Sequence, residues 1–234
     1  MTGQILSYTL NDGVAVLAMD DGRANALGHA MIEALKSALL RAEGEARAIL
    51  IMGRERRFSA GFDLQVMASG TENVVPLVTA GAELLLDIYT HPLPVVIGCT
   101  GHAMAAGALL LLAADVRIGA EGDFKIGLPE VAIQMTMPIF GLELARDRLA
   151  RNHLTAAVSQ ARIYTPVEAA QIGYLDATAP AAALFETALA RARELAALPQ
   201  PAFRNTKRKE RAATVALIRE TLKSDSRSFD GAAS

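Results

Sequence analysis

FSAGFDL, Phe58 to Leu64, follows a hydrophobic run, AILIMG (Ala48 to Gly53), and the mostly charged RERR. Two small residues and a glycine lie between aromatic residues, with a carboxylate just after. A second stretch of the same kind, HAMAAGA (His102 to Ala108), follows the strand-like VVIGCTG. Such turns let a ligand approach the main chain closely. Backbone N–H groups at a helix start lack intrahelical acceptors and carry the positive end of the helix dipole. If the two turns converge, they form a two-donor hole for an oxyanion. The alternative is that small residues only permit a helix to pack tightly on a sheet.

The rest of the pattern reads as α/β. ILSYTLNDGVAVLAMD is a hairpin turning at NDG, and Gly28 to Glu43 has helical apolar spacing, with Gly44 placed to stop it. ARAILIMG is a buried strand, VTAGAELLLDIYT a helix ended by HPLP, VVIGCTG one strand, AMAAGALLLLAAD a turn into a buried helix, and VRIGA and DFKIG further strands. From Pro138 on the pattern is all helical, with a Thr165/Glu168 capping box and Pro166 at the first helical position. Alternating strands and helices predict mainly parallel pairing.

Composition narrows the function classes. The 234 residues are 52% hydrophobic and 21% charged, with a formal net charge of −2, which predicts a large core and no nucleic-acid partner. Cys99 is the single cysteine, so an intramolecular disulfide is excluded and a cysteine-based zinc site is not expected. The start MTGQILSYTL lacks signal-peptide character, and GALLLLAA is too short to span a bilayer. The chain reads as soluble and cytoplasmic, with no membrane partner. His29, His91, His102 and His153 are scattered and form no metal motif. His102 is a candidate auxiliary acid–base group or a packed loop histidine, and Cys99 reads as inert core.

Five stretches in series resemble the crotonase (enoyl-CoA hydratase/isomerase) family: DGRANALG, FSAGFDL, GHAMAAGALLLLAADVRIGA, FKIGLPEVAI and TPVEAAQIGYLDATAP. The resemblance implies a spiral of ββα units with two near-perpendicular sheets and a helical C-terminal part. Residues 1–180 would then hold the core and an acyl-CoA site, and 181–234 the helices that trimerise, giving a homotrimer or dimer of trimers. It also implies stabilisation of a thioester enolate, with the amides of Phe62 and Ala106 as oxyanion donors and Glu130 as the proton carrier. Arg23, Ala24, Ser59, Ala60, Asp63 and Leu64 fall where the family holds coenzyme A, largely by main chain. Coenzyme A is part of the substrate, so no cofactor is expected. Asp63 reads equally as a helix N-cap, and Arg23 as a solvated loop residue. The TKRKER cluster (Thr206 to Arg211) reads first as a solvated helix face, second as a phosphate contact. The last residues, SRSFDGAAS, are expected to give a short cover over the site.

One departure from the family pattern matters most. Hydratases of the family use two glutamates, and Leu109 stands at the first position while Glu130 occupies the second. Hydration benefits from two proton handlers, whereas a 1,3 proton shift needs one. The resemblance therefore favours Δ3-Δ2-enoyl-CoA isomerase, in fatty acid metabolism. Alternatives are a one-glutamate hydratase, an inactive acyl-CoA-binding member and, more remotely, a purely structural trimer. An apolar setting around Glu130 would raise its pKa toward the range useful for shuttling protons. Met135, Met137 and Phe140 read as walls of an acyl pocket or as plain core.

Overall fold

In the computed structural model, which describes residues 4–225, the chain is laid down as successive β-β-α units. Leu6–Asn11 (β1) and Val14–Met19 (β2) form the expected hairpin, followed by His29–Glu45 (α1). The second unit is Ala48–Met52 (β3), Arg56–Ser59 (β4), Leu64–Met67 (α2) and Thr71–Thr90 (α3). The third is Val95–Cys99 (β5), Gly101–Met104 (β6) and Ala106–Ala113 (α4). The fourth is Val116–Ala120 (β7), Ile126–Gly127 (β8), a 3₁₀ turn at Glu130–Ile133 and Ile139–Arg148 (α5). Leu154–Val158 (α6), Pro166–Ile172 (α7), Ala177–Ala179 (β9), Leu184–Ala196 (α8), Gln200–Glu210 (α9) and Ala212–Asp225 (α10) complete the described chain.

The units feed two sheets. A six-stranded sheet runs β1-β2-β3-β5-β7-β9 and a three-stranded sheet runs β4-β6-β8. Among the described strands, β1 and β2 pair antiparallel and the other pairs are parallel. The hairpin closes at Asp12 and Gly13, both with positive φ (47° and 80°), as a two-residue turn demands. Alternate residues of the large sheet serve two cores. Val14, Val16, Leu50, Met52 and Val96 pack with Leu184, Ala188 and Leu189 of α8. Ala15, Leu17, Ile49, Ile51 and Ile97 join Leu35 and Leu39 of α1 and Leu84 and Ile88 of α3. With both faces covered, these strands read as unbroken apolar runs.

Four expectations are corrected. Gly44 does not stop α1, which runs through Glu45; extended Ala46 ends it, and the Arg47 amide is drawn to the Gly13 carbonyl at 2.8 Å. VVIGCTG is two strands in different sheets, parted at Thr100, and Arg56–Ser59, unassigned from sequence, is a strand. The all-helical reading beyond Pro138 misses Ala177–Ala179, which pairs with β7; three residues are too few to show a period. Within the TKRKER cluster, Lys207 and Arg211 are buried on Asp115 rather than solvated, at 2.7 and 2.8 Å. The capping box forms as expected: Glu168 N–H donates to Thr165 Oγ1, and the Thr165 amide donates to the Glu168 carboxylate. The expected cover at SRSFDGAAS lies outside the described residues.

Candidate active site

The small sheet is parallel, so β4, β6 and β8 all open onto helices at the same end. Residues just past the C-terminal ends of neighbouring parallel strands are brought close together, because strands sit about 4.8 Å apart. Register fixes which residues these are: Ser59 pairs with Ala103, Ala103 with Ile126 and Met104 with Gly127. Phe62, Ala106 and Glu130 each follow within a few residues.

The first turn is shaped by a parallel bridge. Leu27 donates to the Gly61 carbonyl at 2.8 Å, and Asp63 donates to the Leu27 carbonyl at 3.4 Å. In a parallel bridge the intervening residue turns its own N–H and C=O the other way, so the Phe62 amide points away from Leu27. The Phe62 ring lies against Gly81 of α3; a Cβ there would come within 2.2 Å of the ring. Gly61 has φ +94°, and a Cβ on it would meet Ala105 Cβ at 2.9 Å and Ala106 N at 3.2 Å. The FSAGFDL turn therefore touches the second turn, and any larger residue at Gly61 would push the two apart.

The second turn starts α4. The Ala105 carbonyl accepts from Ala108 and Leu109, at 2.8 and 3.1 Å. Ala106 and Gly107 precede those donors, so their amides have no intrahelical acceptor. Ala105 itself holds φ +52° and ψ −127°, a region disfavoured for a residue with a side chain. Its amide donates to the Gly127 carbonyl at 3.0 Å, tying the turn to β8. Gly107 allows α4 to press onto β4, since a Cβ would stand 2.4 Å from the Ser59 carbonyl oxygen.

Asn25, which sequence reading passed over, pins the whole corner. It is fully buried with φ +51°, and its Nδ2 donates to the carbonyls of Met19, Arg57 and Phe58. Its Oδ1 accepts from the Asp21 amide, and its own amide donates to the Asp21 carboxylate. One side chain thus joins the exit of β2 to β4. An Asn between alanines in a glycine-bearing loop was the available signal, since Asn tolerates the left-handed region.

Glu130 opens the 3₁₀ turn after Leu128 and Pro129 and is 6% exposed. Burial pushes its carboxyl up to about 7, opposed in part by its own backbone N–H. Among the described residues its Oε2 has no hydrogen-bond partner. The Met135 amide returns to the Glu130 carbonyl at 2.9 Å, and Gln134, at φ +63°, closes the loop. A buried carboxyl that titrates near neutrality can take and return a proton at physiological pH.

The remaining candidates sort by their contacts. Leu109 is buried and packs beside Gly141 of α5, where Met137 also lies, so no acid stands at that point. Phe140 is core, while Met135 and Met137 are half-buried. His102 accepts from the Lys125 amide at 3.0 Å and meets the Phe124 ring edge-on, which makes it a held histidine of β6. Cys99 is buried, with its thiol pushed up to about 12 by burial, and donates to the Gly101 carbonyl. Ser59 is buried, its hydroxyl donating to the Asn25 carbonyl and accepting from the Gly61 amide, so it offers a ligand main chain only. Asp63 caps α2 through the Gln65 amide at 2.9 Å. Ala60 donates to the Ala24 carbonyl, and Ala60, Leu64 and Arg23 are exposed on one rim. Among the described residues no group of three His, Cys, Asp or Glu is placed to hold a metal, and no helix is long and apolar enough to cross a membrane.

The family model for enoyl-CoA hydratase/isomerase matches residues 9–233. A probable enoyl-CoA hydratase of Rhodobacter capsulatus is 42% identical over 123 residues, 52% of this chain and 48% of that protein, so the alignment spans about half of that relative. The apo structure of an enoyl-CoA isomerase of Mycobacterium tuberculosis is 37% identical, with TM-score 0.89 over 98% of this chain and 97% of that one; a second structure of the same protein describes it as a probable enoyl-CoA hydratase. Human mitochondrial Δ3-Δ2-enoyl-CoA isomerase is 26% identical, with TM-score 0.93 over 97% of this chain and 91% of that one.

Proposed function

Since the chain belongs to the enoyl-CoA hydratase/isomerase family, the crotonase family, we propose that it moves the double bond of 3-enoyl-CoA thioesters to the 2 position with Glu130 as the only proton carrier. Ionised Glu130 takes a proton from C2. The electron pair delocalises through the thioester onto its oxygen, where the amides of Phe62 and Ala106 receive the charge. Protonated Glu130 then delivers the proton to C4, and no atom is gained or lost. A preorganised donor of this kind is worth about two to three orders of magnitude in rate.

The observation that carries this reading is the buried carboxyl of Glu130 poised near neutrality, while Leu109, which cannot ionise, is also buried. The coenzyme A moiety is read as lying along the rim of Arg23, Ala24, Ser59, Ala60, Asp63 and Leu64, and the assembly as a homotrimer or dimer of trimers built through the C-terminal helices. No further cofactor is assigned. The hydratase names among the relatives support a second reading, hydration with one glutamate, and the loss of the first acid supports a third, acyl-CoA binding without turnover.

The test is incubation with 3-enoyl-, 2-enoyl- and 3-hydroxyacyl-CoA panels in deuterated water, with mass analysis of products. Conversion of 3-enoyl to 2-enoyl thioester with deuterium uptake supports the isomerase. Net gain of water would replace it with the hydratase, and tight binding without any turnover would replace both.

A further inference from the structure

Near the strand that leads to Glu130 lies a polar group the proposed reaction leaves unused. Tyr174 follows α7 and is completely buried, and Tyr164 is 2% exposed. Their rings pack at 5.9 Å between centroids. Tyr164 is fixed to β8 by a two-way backbone bridge with Ile126, at 2.9 Å each way, so this aromatic pair sits on the strand that delivers Glu130. Among the described residues the hydroxyls of both tyrosines and Oε2 of Glu130 are buried without a hydrogen-bond partner. Buried polar oxygens are rarely left so, and a site with several of them suits a bound water.

The groups that face this corner are few. Burial, then Tyr164, then Glu130 push the Tyr174 hydroxyl above its ordinary range. Tyr164 faces Arg162, whose guanidinium lies 5.1 Å from the ring centroid and pairs with Glu168 at 3.1 Å. On Glu130 itself, burial is the chief influence.

We infer that Tyr174 is a positioning residue for Glu130, its hydroxyl donating through one bound water to the inner carboxyl oxygen and so fixing which oxygen turns to the substrate. This rests on Glu130 being the proton carrier. The phenol remains neutral and donates; it does not exchange protons with substrate. A donor on the inner oxygen favours the ionised carboxylate, so losing it raises the proton affinity of Glu130.

The experiment is a carbon-13 NMR titration of side-chain carboxyls in the free protein, with Glu130 assigned by the signal missing from Glu130→Gln. In Tyr174→Phe, which keeps the ring, the Glu130 midpoint is expected to rise by about half to one unit, the scale of a water-mediated hydrogen bond to a charge. The acid limb of kcat/KM should move by the same amount. A midpoint that stays or falls overturns the inference. Should Tyr174→Phe fail to fold, a crystal structure of the wild-type protein decides: a water within about 3.2 Å of both oxygens supports the link, and a hydroxyl bonded elsewhere overturns it. The titration needs no turnover. A protein that isomerises normally but shows no shift refutes only the role of Tyr174, whereas a shift without isomerase activity refutes only the reaction.

Discussion

Two carboxylates shielded from solvent, one by ion pairs and one by apolar packing, divide the molecule. Asp115, at the entry to β7, has both oxygens engaged: Oδ1 accepts from Arg211 at 2.8 Å, and Oδ2 from Lys207 and the Val95 amide at 2.7 Å each. Glu130 is buried, yet its Oε2 has no partner among the described residues. The first carboxylate fastens α9 and the residue before α10 to the strands. The second stays free to bind a proton. Burial alone does not mark a functional acid; burial without satisfaction does, because only the unsatisfied charge keeps a proton affinity close to neutrality.

The sharpest way to break this comparison is at Glu130. Glu130→Gln keeps shape and polarity but cannot carry a proton, so kcat should fall by about three orders of magnitude or more, while acyl-CoA binding, read by calorimetry, persists. Residual kcat within tenfold of wild type would remove Glu130 from the chemistry.

At Asp115 the loss should be structural. Lys207→Met removes one cation while Arg211 and the Val95 amide still hold the carboxylate, so the loss is that of one charge-assisted hydrogen bond, about 1.5 to 3 kcal/mol. A urea midpoint shifted down by that amount, with the catalytic rate of the folded fraction little changed, is the expected result. An unshifted midpoint would mean that the pairs do not hold the C-terminal helices.

pH tests both kinds of burial at once. The folded-state pKa of Glu130, about 7, lies above its unfolded value, so its contribution is fully present below about 4.3 and is lost as pH rises through 7. His91, buried against the Leu39 carbonyl, is pushed down to about 4 by burial and then by Lys207. Its contribution is present above the unfolded value of about 6.5 and is lost as pH falls toward 4. The two slopes oppose each other across nearly the same window, so wild-type stability should change little between about pH 4.5 and 6.5. Glu130→Gln removes one slope. It should be more stable than wild type at pH 8, by roughly 3 to 4 kcal/mol at most, and should lose stability on acidification where wild type does not. Parallel pH profiles for the two proteins would contradict the Glu130 assignment, and a Glu130→Gln protein that keeps its stability on acidification would contradict that of His91.

What the sequence disclosed follows the same physics. The hairpin, the buried strands and the capping box were readable because their signals are local: two turn residues, an apolar run, a Thr and a Glu three apart. The two small turns were readable because only small residues fit where main chains touch, as Gly61 against Ala105 demonstrates. Of the small sheet, DFKIG was readable around β8, but β4, four residues of mixed character, was not, and β6 was merged with β5, because their identity comes from pairing with one another. Nor was the fate of TKRKER, where burial of Lys207 and Arg211 depends on an aspartate about ninety residues earlier. Asn25 and Tyr174 act through partners distant in sequence, which no periodicity reports.

The smallest expected effect separates strain from chemistry at the second turn. Ala105 holds a backbone conformation that glycine adopts freely, at a cost of order 1 kcal/mol or more. Ala105→Gly removes that cost but adds about 0.4 to 1 kcal/mol of unfolded-state entropy. The net should be a modest gain, up to about 1 kcal/mol, seen as a higher urea midpoint. Ala105→Val goes the other way, because a β-branched residue resists positive φ and would turn the Ala106 amide from its place. Its kcat should drop by up to about a hundredfold, the worth of one oxyanion donor. If valine is tolerated with full kcat, the Ala106 amide is not a donor to the reacting oxygen, and the functional side of the comparison contracts to Glu130 alone.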